Sequence, residues 1–107
     1  MGVSKTASFS DYQNELSILF KALSHPARVA IIEYLLKVDK CICGDIVHEL
    51  PLAQPTISQH LKELKNARII KGTIEGTAIC YCIDTDTLKK FEDYFSMISN
   101  KLKLKCC

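Results

Sequence analysis

The sequence predicts a mainly α-helical α+β fold with one β-hairpin towards its carboxyl-terminal end. Three observations support this prediction. Apolar residues recur at helical spacing over much of the 107-residue chain. A short loop with a glycine, 75–77, separates two apolar runs, which is typical of a hairpin. The chain then continues into a long segment, 85–104, in which apolar residues recur every three or four positions, as on one face of a helix.

The first part of the chain favours two helices, over 10–23 and about 26–37, because apolar residues recur at helical spacing in both. Ser24 and Pro26 lie between them. We expect Ser24 to cap the second helix by accepting a hydrogen bond from a first-turn amide, and proline suits that first turn.

Short elements follow in the middle of the chain. A strand is expected over 40–43 and a short helix over 44–50, which Pro51 ends because proline lacks the amide hydrogen that a helix needs. A further helix is expected over 55–66, with an apolar stripe that faces the core. The remaining elements are strands over 69–74 and 78–83 and a helix over 85–104.

This order of elements is that of a winged helix-turn-helix with a two-stranded wing and a long C-terminal helix, for which the family resemblance given below implies a role in dimerisation. We expect one domain over 1–107, with a tail at 1–9 and a cysteine-containing tail at 105–107. In such a domain, two short helices joined by a tight turn place the second helix in the major groove of DNA, which admits one helix. The sequence therefore predicts a nucleic-acid-binding function.

Segment 52–72 has the composition of a DNA-binding surface, since it contains four Lys and Arg residues and a single acidic residue, Glu63. Small polar side chains near a helix start can approach base edges, and lysines neutralise phosphates. We expect Gln54, Thr56, Ser58, Gln59 and His60 near bases or phosphates, and Lys62, Lys65 and Lys71 on phosphates. A solvated basic face, or a winged helix that binds another protein, remains an alternative.

Three segments, 22–28, 44–46 and 55–64, are similar to motifs of the ArsR/SmtB family of transcriptional repressors. The resemblance implies that the protein binds double-stranded operator DNA with two-fold symmetry, and that an inducer causes the protein to release this DNA. It also implies a homodimer built from the first and last helices, with these interface residues: Leu16, Leu19, Leu88, Phe91, Phe95, Ile98 and Leu102. The family often has glycine after its recognition helix, where Arg68 stands here.

No enzyme is expected and no catalytic residue is assigned. The sequence has no phosphate-binding glycine loop, no paired-carboxylate motif and no nucleophile signature. Residues 1–11 lack the apolar core of a signal peptide, and no apolar run approaches the ~20 residues that span a bilayer. We therefore expect a cytoplasmic protein without membrane contact.

The six cysteines fall into three pairs, which are Cys41 with Cys43, Cys80 with Cys82, and Cys106 with Cys107. Because cytosolic thiols stay reduced, a soft-metal or redox-sensing role fits better than a disulfide scaffold. Thiolates suit trivalent arsenic or antimony and other thiophilic metals. We expect such an ion as inducer, with all six cysteines as candidate ligands and no cofactor required. Oxidation without metal is the alternative.

Two arrangements of these thiols stay open. Cys41-Ile42-Cys43 resembles the Cys-x-Cys of arsenic-responsive members of the family, but it is displaced by one residue relative to the 44–46 motif. A cross-strand site is also possible, since opposite residues of paired strands have Cβ atoms only ~5 Å apart. The first and second cysteine pairs would then have to face the same side. Alternatively, Ile79, Tyr81 and Ile83 face inward, which turns Cys80 and Cys82 outward. The cysteines can also be only small buried hydrophobic residues.

Overall fold

The computed structural model describes residues 8–38, 41–43, 50–75 and 78–103. These residues form helices α1 (Asp11–Ala22), α2 (Pro26–Val38), α3 (Gln54–Asn66) and α4 (Thr85–Lys103), and strands β1 (Ile42–Cys43), β2 (Ile70–Glu75) and β3 (Ala78–Ile83). The predicted fold class is confirmed. The expected helix over 44–50 falls almost entirely outside the described residues. Within the described ranges, no helix is both long enough and apolar enough to cross a membrane.

Side-chain caps determine where α1 and α4 begin. At α1, Ser10 and Gln13 form a reciprocal pair, in which Ser10 Oγ accepts from the Gln13 amide at 3.0 Å and Gln13 Oε1 accepts from the Ser10 amide at 3.1 Å. At α4, Asp84 Oδ1 accepts from the amides of Asp86 and Thr87 at 3.1 and 3.2 Å. These side chains satisfy first-turn amides that have no partner within the helix.

The start of α2 differs from the prediction. Ser24 does not cap this helix, because its hydroxyl donates backwards to the Lys21 carbonyl at 2.7 Å. His25 takes the capping role instead, with Nδ1 accepting from the Ala27 amide at 3.0 Å. The Ser24 hydroxyl can satisfy an end carbonyl of α1, which also lacks a helical partner.

The core lies where the four described helices and the sheet meet. Its members include Leu19, Ile31, Leu35, Ile57, Leu64, Ile69, Ile70 and Phe91. Because α3 contributes a continuous apolar stripe to this core, its orientation is set by packing along its length.

The three strands form an antiparallel sheet in the order β1-β3-β2. Strand β3 is therefore hydrogen-bonded on both sides. The hairpin of β2 and β3 matches the expected wing, while β1 extends it by a third strand. In this register Cys43 lies opposite Cys80, and Lys71 lies opposite Cys82.

Helix α3 ends in a Schellman motif, centred on Arg68. The Ile69 amide donates to the Leu64 carbonyl and the Arg68 amide to the Lys65 carbonyl, at 3.0 and 2.9 Å. Arg68 has a φ of 64°, in the left-handed region that favours glycine. The buried pair Leu64 and Ile69 completes the motif. An arginine at this position therefore costs conformational energy that glycine would avoid.

Arg68→Gly is expected to raise the free energy of unfolding by up to about 1 kcal/mol, because glycine adopts a positive φ without the Cβ clash. Chemical denaturation in urea measures this change. Arg68→Ala is the control, since alanine also removes the charge but keeps the Cβ atom. Equal stabilisation by both variants would mean that the charge, rather than the backbone conformation, is responsible.

Candidate DNA-binding surface and thiol site

Helix α3 has one buried side and one polar side. Ile57, Leu61 and Leu64 are buried in the core. The opposite side is exposed and carries most of the side chains that were expected near DNA, which are Gln54, Thr56, Ser58, Gln59, Lys62 and Lys65. Since the apolar stripe anchors the helix, this polar face is held outward on a fixed support. Such a face can enter a groove without rearrangement of the core.

Strand β2 adjoins Lys65 and carries a further exposed lysine. The Lys65 side chain extends from α3 across β2, where its Nζ would lie 3.5 Å from a Cβ atom added at Gly72. Lys71, one residue earlier on the same strand, is also exposed, on the other face of the sheet. The recognition helix and the wing thus place two ammonium groups on adjoining elements, an arrangement that suits a phosphate backbone.

The structure removes His60 from the set that was expected to face DNA. Its side chain is only 7% exposed and accepts a hydrogen bond at Nδ1 from Arg28 Nε at 3.1 Å. Burial, followed by the charges of His25 and Arg28, lowers the pKa of His60 below its usual 6.5. His60 follows Ile57 by three positions and adjoins Leu61 on the buried stripe, so helical spacing alone could have placed it inward.

Cysteines in and next to β1 meet cysteines of β3 across the sheet. Cys41 forms a disulfide with Cys82, with their Cα atoms 4.4 Å apart. Cys80 is completely buried and also disulfide-bonded, and Cys43 is its backbone neighbour in the register. Of the two arrangements that the sequence left open, Cys41 and Cys82 therefore adopt the cross-strand one.

The alternation of side chains along β3 explains this arrangement. Tyr81 and Ile83 pack against the core, so Cys80 and Cys82 lie on the other face of the strand. Ile79 lies on the same face as Tyr81 and Ile83, but its side chain is exposed rather than covered by the core. No group of three or more Cys, His, Asp or Glu side chains is arranged to hold a metal among the described residues. Cys106 and Cys107 fall outside those residues.

Comparison with known proteins relates this architecture to a family. The family model "Bacterial regulatory protein, arsR family" matches residues 25–71, which include α2, β1 and α3. The Transcriptional repressor SdpR from Bacillus subtilis is 35% identical over 83 residues, which cover 78% of this chain and 91% of that protein. The chain belongs to the ArsR/SmtB family of transcriptional regulators.

Two further comparisons bear on this ArsR/SmtB regulator. The Arsenical resistance operon repressor of Staphylococcus xylosus is 28% identical over 85 residues, covering 79% of this chain and 81% of that protein. The crystal structure of the ArsR family transcriptional regulator RHA00566 has a TM-score of 0.76 at 17% identity, covering 92% of this chain and all of that one. The second likeness confirms the winged-helix fold. Family members are DNA-binding regulators rather than enzymes, as the sequence predicted.

The interface residues expected for a homodimer divide into two groups in this regulator. Leu16, Leu19 and Phe91 are buried within the single chain, so they leave little surface for a partner. Leu88 and Ile98 are half-buried, and Phe95 and Leu102 are exposed. Further exposed apolar side chains on α1 and α4 were not expected at the interface, namely Tyr12, Ile18 and Met97.

Sequence reasoning missed the contact of Arg28 with α3. The guanidinium donates to His60, which lies 32 residues further along the chain, and to the Ala22 carbonyl at 3.2 Å. The available signal is weak: His25, Arg28 and His60 lie in two of the segments that are similar to family motifs, but nothing in those segments indicates that they meet. Their contact depends on the packing of α2 against α3.

Proposed function

We propose that this chain is a homodimeric repressor that binds two-fold symmetric operator DNA through α3 and the wing, and that leaves the DNA when its sheet cysteines bind trivalent arsenic or antimony. The observation that carries the proposal is the polar, exposed face of α3, which includes Lys62 and Lys65 and is held outward by the buried stripe of the same helix. Its expected compartment is the cytoplasm.

Two kinds of side chain on that surface support DNA binding, polar groups for base edges and lysines for phosphates. Thr56, Ser58 and Gln59 are short or amide side chains in the first half of α3, where they can reach base edges. Lys62, Lys65 and Lys71 supply positive charge beside them for phosphates. Hydrogen bonds to bases would provide sequence preference, and the lysines would provide most of the salt-dependent affinity.

Homodimer formation is supported by an apolar surface that one chain leaves uncovered. The aromatic rings of Phe20, Phe91, Tyr94 and Phe95 pack edge to face, with centroids 5.3 to 5.9 Å apart. This cluster continues outward to exposed apolar residues of α4 and borders a groove of about 530 Å³ between α1 and α4. A second copy could cover it and would place two α3 helices on one duplex.

The wing sheet is the best candidate for the effector site. Side chains that can bond directly, as those of Cys41 and Cys82 do, can also share one soft ion after reduction. In the register, the backbones of Cys43 and Cys80 form the next cross-strand pair. This pair could supply a further thiolate ligand. The arsenical resistance repressor among the relatives supports a thiophilic inducer.

The same sheet offers a route from the effector to DNA. Strand β3 is hydrogen-bonded to both β1 and β2, and Cys82 lies directly opposite Lys71. Binding of an ion between β1 and β3 would therefore change the position of the strand that holds the wing. A coupling free energy of about 1–3 kcal/mol would be enough to release the DNA.

The test is a fluorescence-anisotropy titration with a duplex selected by the reduced protein from a random-sequence pool. Arsenite is expected to weaken binding about 5- to 150-fold, the range of typical coupling energies. Cys82→Ser should remove this response, whereas the control Cys106→Ser/Cys107→Ser should retain it. Failure to enrich any duplex would contradict DNA recognition. A full response by Cys82→Ser, or no response to arsenite, antimonite or cadmium, would contradict the metalloid site.

Thiol oxidation is a second candidate, and the Cys41–Cys82 disulfide favours it. Because cytosolic thiols are normally reduced, such a bond there would form only under oxidative stress. Peroxide would oxidise the two thiols to the disulfide and be reduced to two molecules of water. If this is the signal, peroxide changes DNA affinity, dithiothreitol reverses the change, and Cys41→Ser does not respond. Arsenite alone would then leave DNA binding unchanged.

A further inference from the structure

A second feature of α3, on its buried side, is a contact with the first turn of α2 and the residues just before it. Arg28 Nε donates to His60 Nδ1 at 3.1 Å, and its Nη1 donates to the Ala22 carbonyl at 3.2 Å. One guanidinium thus joins the C-terminal end of α1 to the middle of the recognition helix. Cations are favourable at a helix C-terminus, where carbonyl groups lack helical partners.

The ring of His25 packs against the ring of His60. The centroids of the two imidazole rings are 4.4 Å apart, and the His25 ring is itself held by the Ala27 amide, which donates to its Nδ1. Lys21 and Glu63 are the other charged residues that line the adjoining cavity of about 560 Å³. Glu63 Oε2 accepts from Gln59 Nε2 at 3.2 Å.

This arrangement requires one protonation state of His60. Arginine can only donate, so Nδ1 of His60 must present a lone pair, and the ring proton must be on Nε2. Protonation would place an N–H group against the guanidinium and add a second positive charge at a buried position. The imidazolium form is therefore incompatible with the observed contact.

We propose that Arg28, His25 and His60 form a latch that positions the recognition helix, and that full DNA affinity requires the neutral form of His60. The proposal rests on DNA binding through α3. His60 directly follows Gln59 and precedes Lys62 by two residues, so a change in its packing is transmitted to the polar face. A latched helix is preorganised, which lowers the conformational cost of binding.

The direction of the pH effect follows from the same groups. The pKa of His60 is lowered by burial first, then by His25 and Arg28, from its usual value of 6.5. Above about pH 6.5 the imidazole is neutral whether the latch is open or closed, and the latch is fully stable. As the pH falls below 6.5, the open form binds a proton first, so stability and DNA affinity are lost progressively.

The variant His60→Asn tests the latch, because an asparagine carbonyl can accept from Arg28 but does not titrate. Anisotropy is measured at constant ionic strength from pH 8.0 to 5.5, with the duplex selected by the wild-type protein. The wild-type chain should lose at least about fivefold more affinity over this range than His60→Asn. His48→Asn, the same change at the remaining histidine, should behave like wild type.

A readout without DNA keeps the latch testable if DNA binding itself fails. Imidazole ¹⁵N chemical shifts should show the Nε2-protonated neutral tautomer of His60, and Arg28→Ala should allow His60 to titrate at a higher pH. Wild-type affinity that is constant from pH 8.0 to 5.5, or an identical decline in His60→Asn, would overturn the proposal. So would an Nδ1-protonated ring. A protein that binds no duplex at pH 8.0 would contradict the proposed function instead.

Discussion

Lys62→Glu combined with Lys71→Glu is expected to lower DNA affinity about a hundredfold or more at moderate ionic strength. Both side chains are exposed, one on α3 and one on the adjoining strand β2. A lysine and a phosphate ~4 Å apart attract by about 1 kcal/mol in water, and the substitution replaces attraction by repulsion. In a dimer the change occurs in both subunits, so several kcal/mol of binding free energy are at stake.

Anisotropy titrations over a range of salt concentrations measure this effect. The slope of log affinity against log salt concentration should decrease by about 0.9 for each phosphate that the variant no longer neutralises. Lys37→Glu combined with Lys103→Glu is the control, because it changes the net charge equally at exposed positions of α2 and α4. If both double variants weaken binding to the same degree, net charge alone governs affinity and DNA does not bind at the α3–wing surface.

Leu102→Glu is expected to convert the proposed homodimer to monomers and, with it, to reduce operator affinity by about two orders of magnitude. Leu102 is 63% exposed near the end of α4, and Phe95, two helical turns earlier, is 53% exposed. Burial of such a side chain is worth about 1.5–3 kcal/mol, and a two-fold interface contains it twice. A carboxylate placed there must be desolvated without a partner.

Sedimentation equilibrium gives the oligomeric state, and circular dichroism checks that the variant remains folded. Val29→Glu is the control, since Val29 is 42% exposed on α2 and does not line the α1–α4 groove. Phe95→Glu should repeat the effect of Leu102→Glu. A Leu102→Glu protein that stays dimeric and binds DNA normally would place the interface elsewhere.

The helices and the hairpin were predictable because their signals are local. The stripe of Ile57, Leu61 and Leu64 follows the helical repeat, and a helix with such a stripe must turn it inward whatever its neighbours are. The exposed position of Ser58 and Gln59 follows from the same repeat. For His60 two local signals conflict, because its polar ring predicts an exposed position whereas its spacing from Ile57 predicts the buried position that is observed.

The pairing of the cysteines could not be predicted from local sequence. Cys41 and Cys82 are 41 residues apart, and adjacent positions on a strand face opposite sides of the sheet. A shift of one residue in the pairing of β1 with β3 would therefore exchange which side chains meet. Nothing in either segment alone specifies that register, so the sequence could offer the cross-strand site only as an alternative.

By itself, the sequence determined the mainly helical winged fold, the polar face of α3 and the resemblance to the ArsR/SmtB family, because these depend on residue spacing within short segments. Only the tertiary structure decided that Cys41 meets Cys82, that His60 turns towards Arg28, and that Leu16, Leu19 and Phe91 are buried within one chain. The physical reason is the same in each case. These contacts join distant parts of the chain, and their geometry is set by strand register and by the packing of helices against each other.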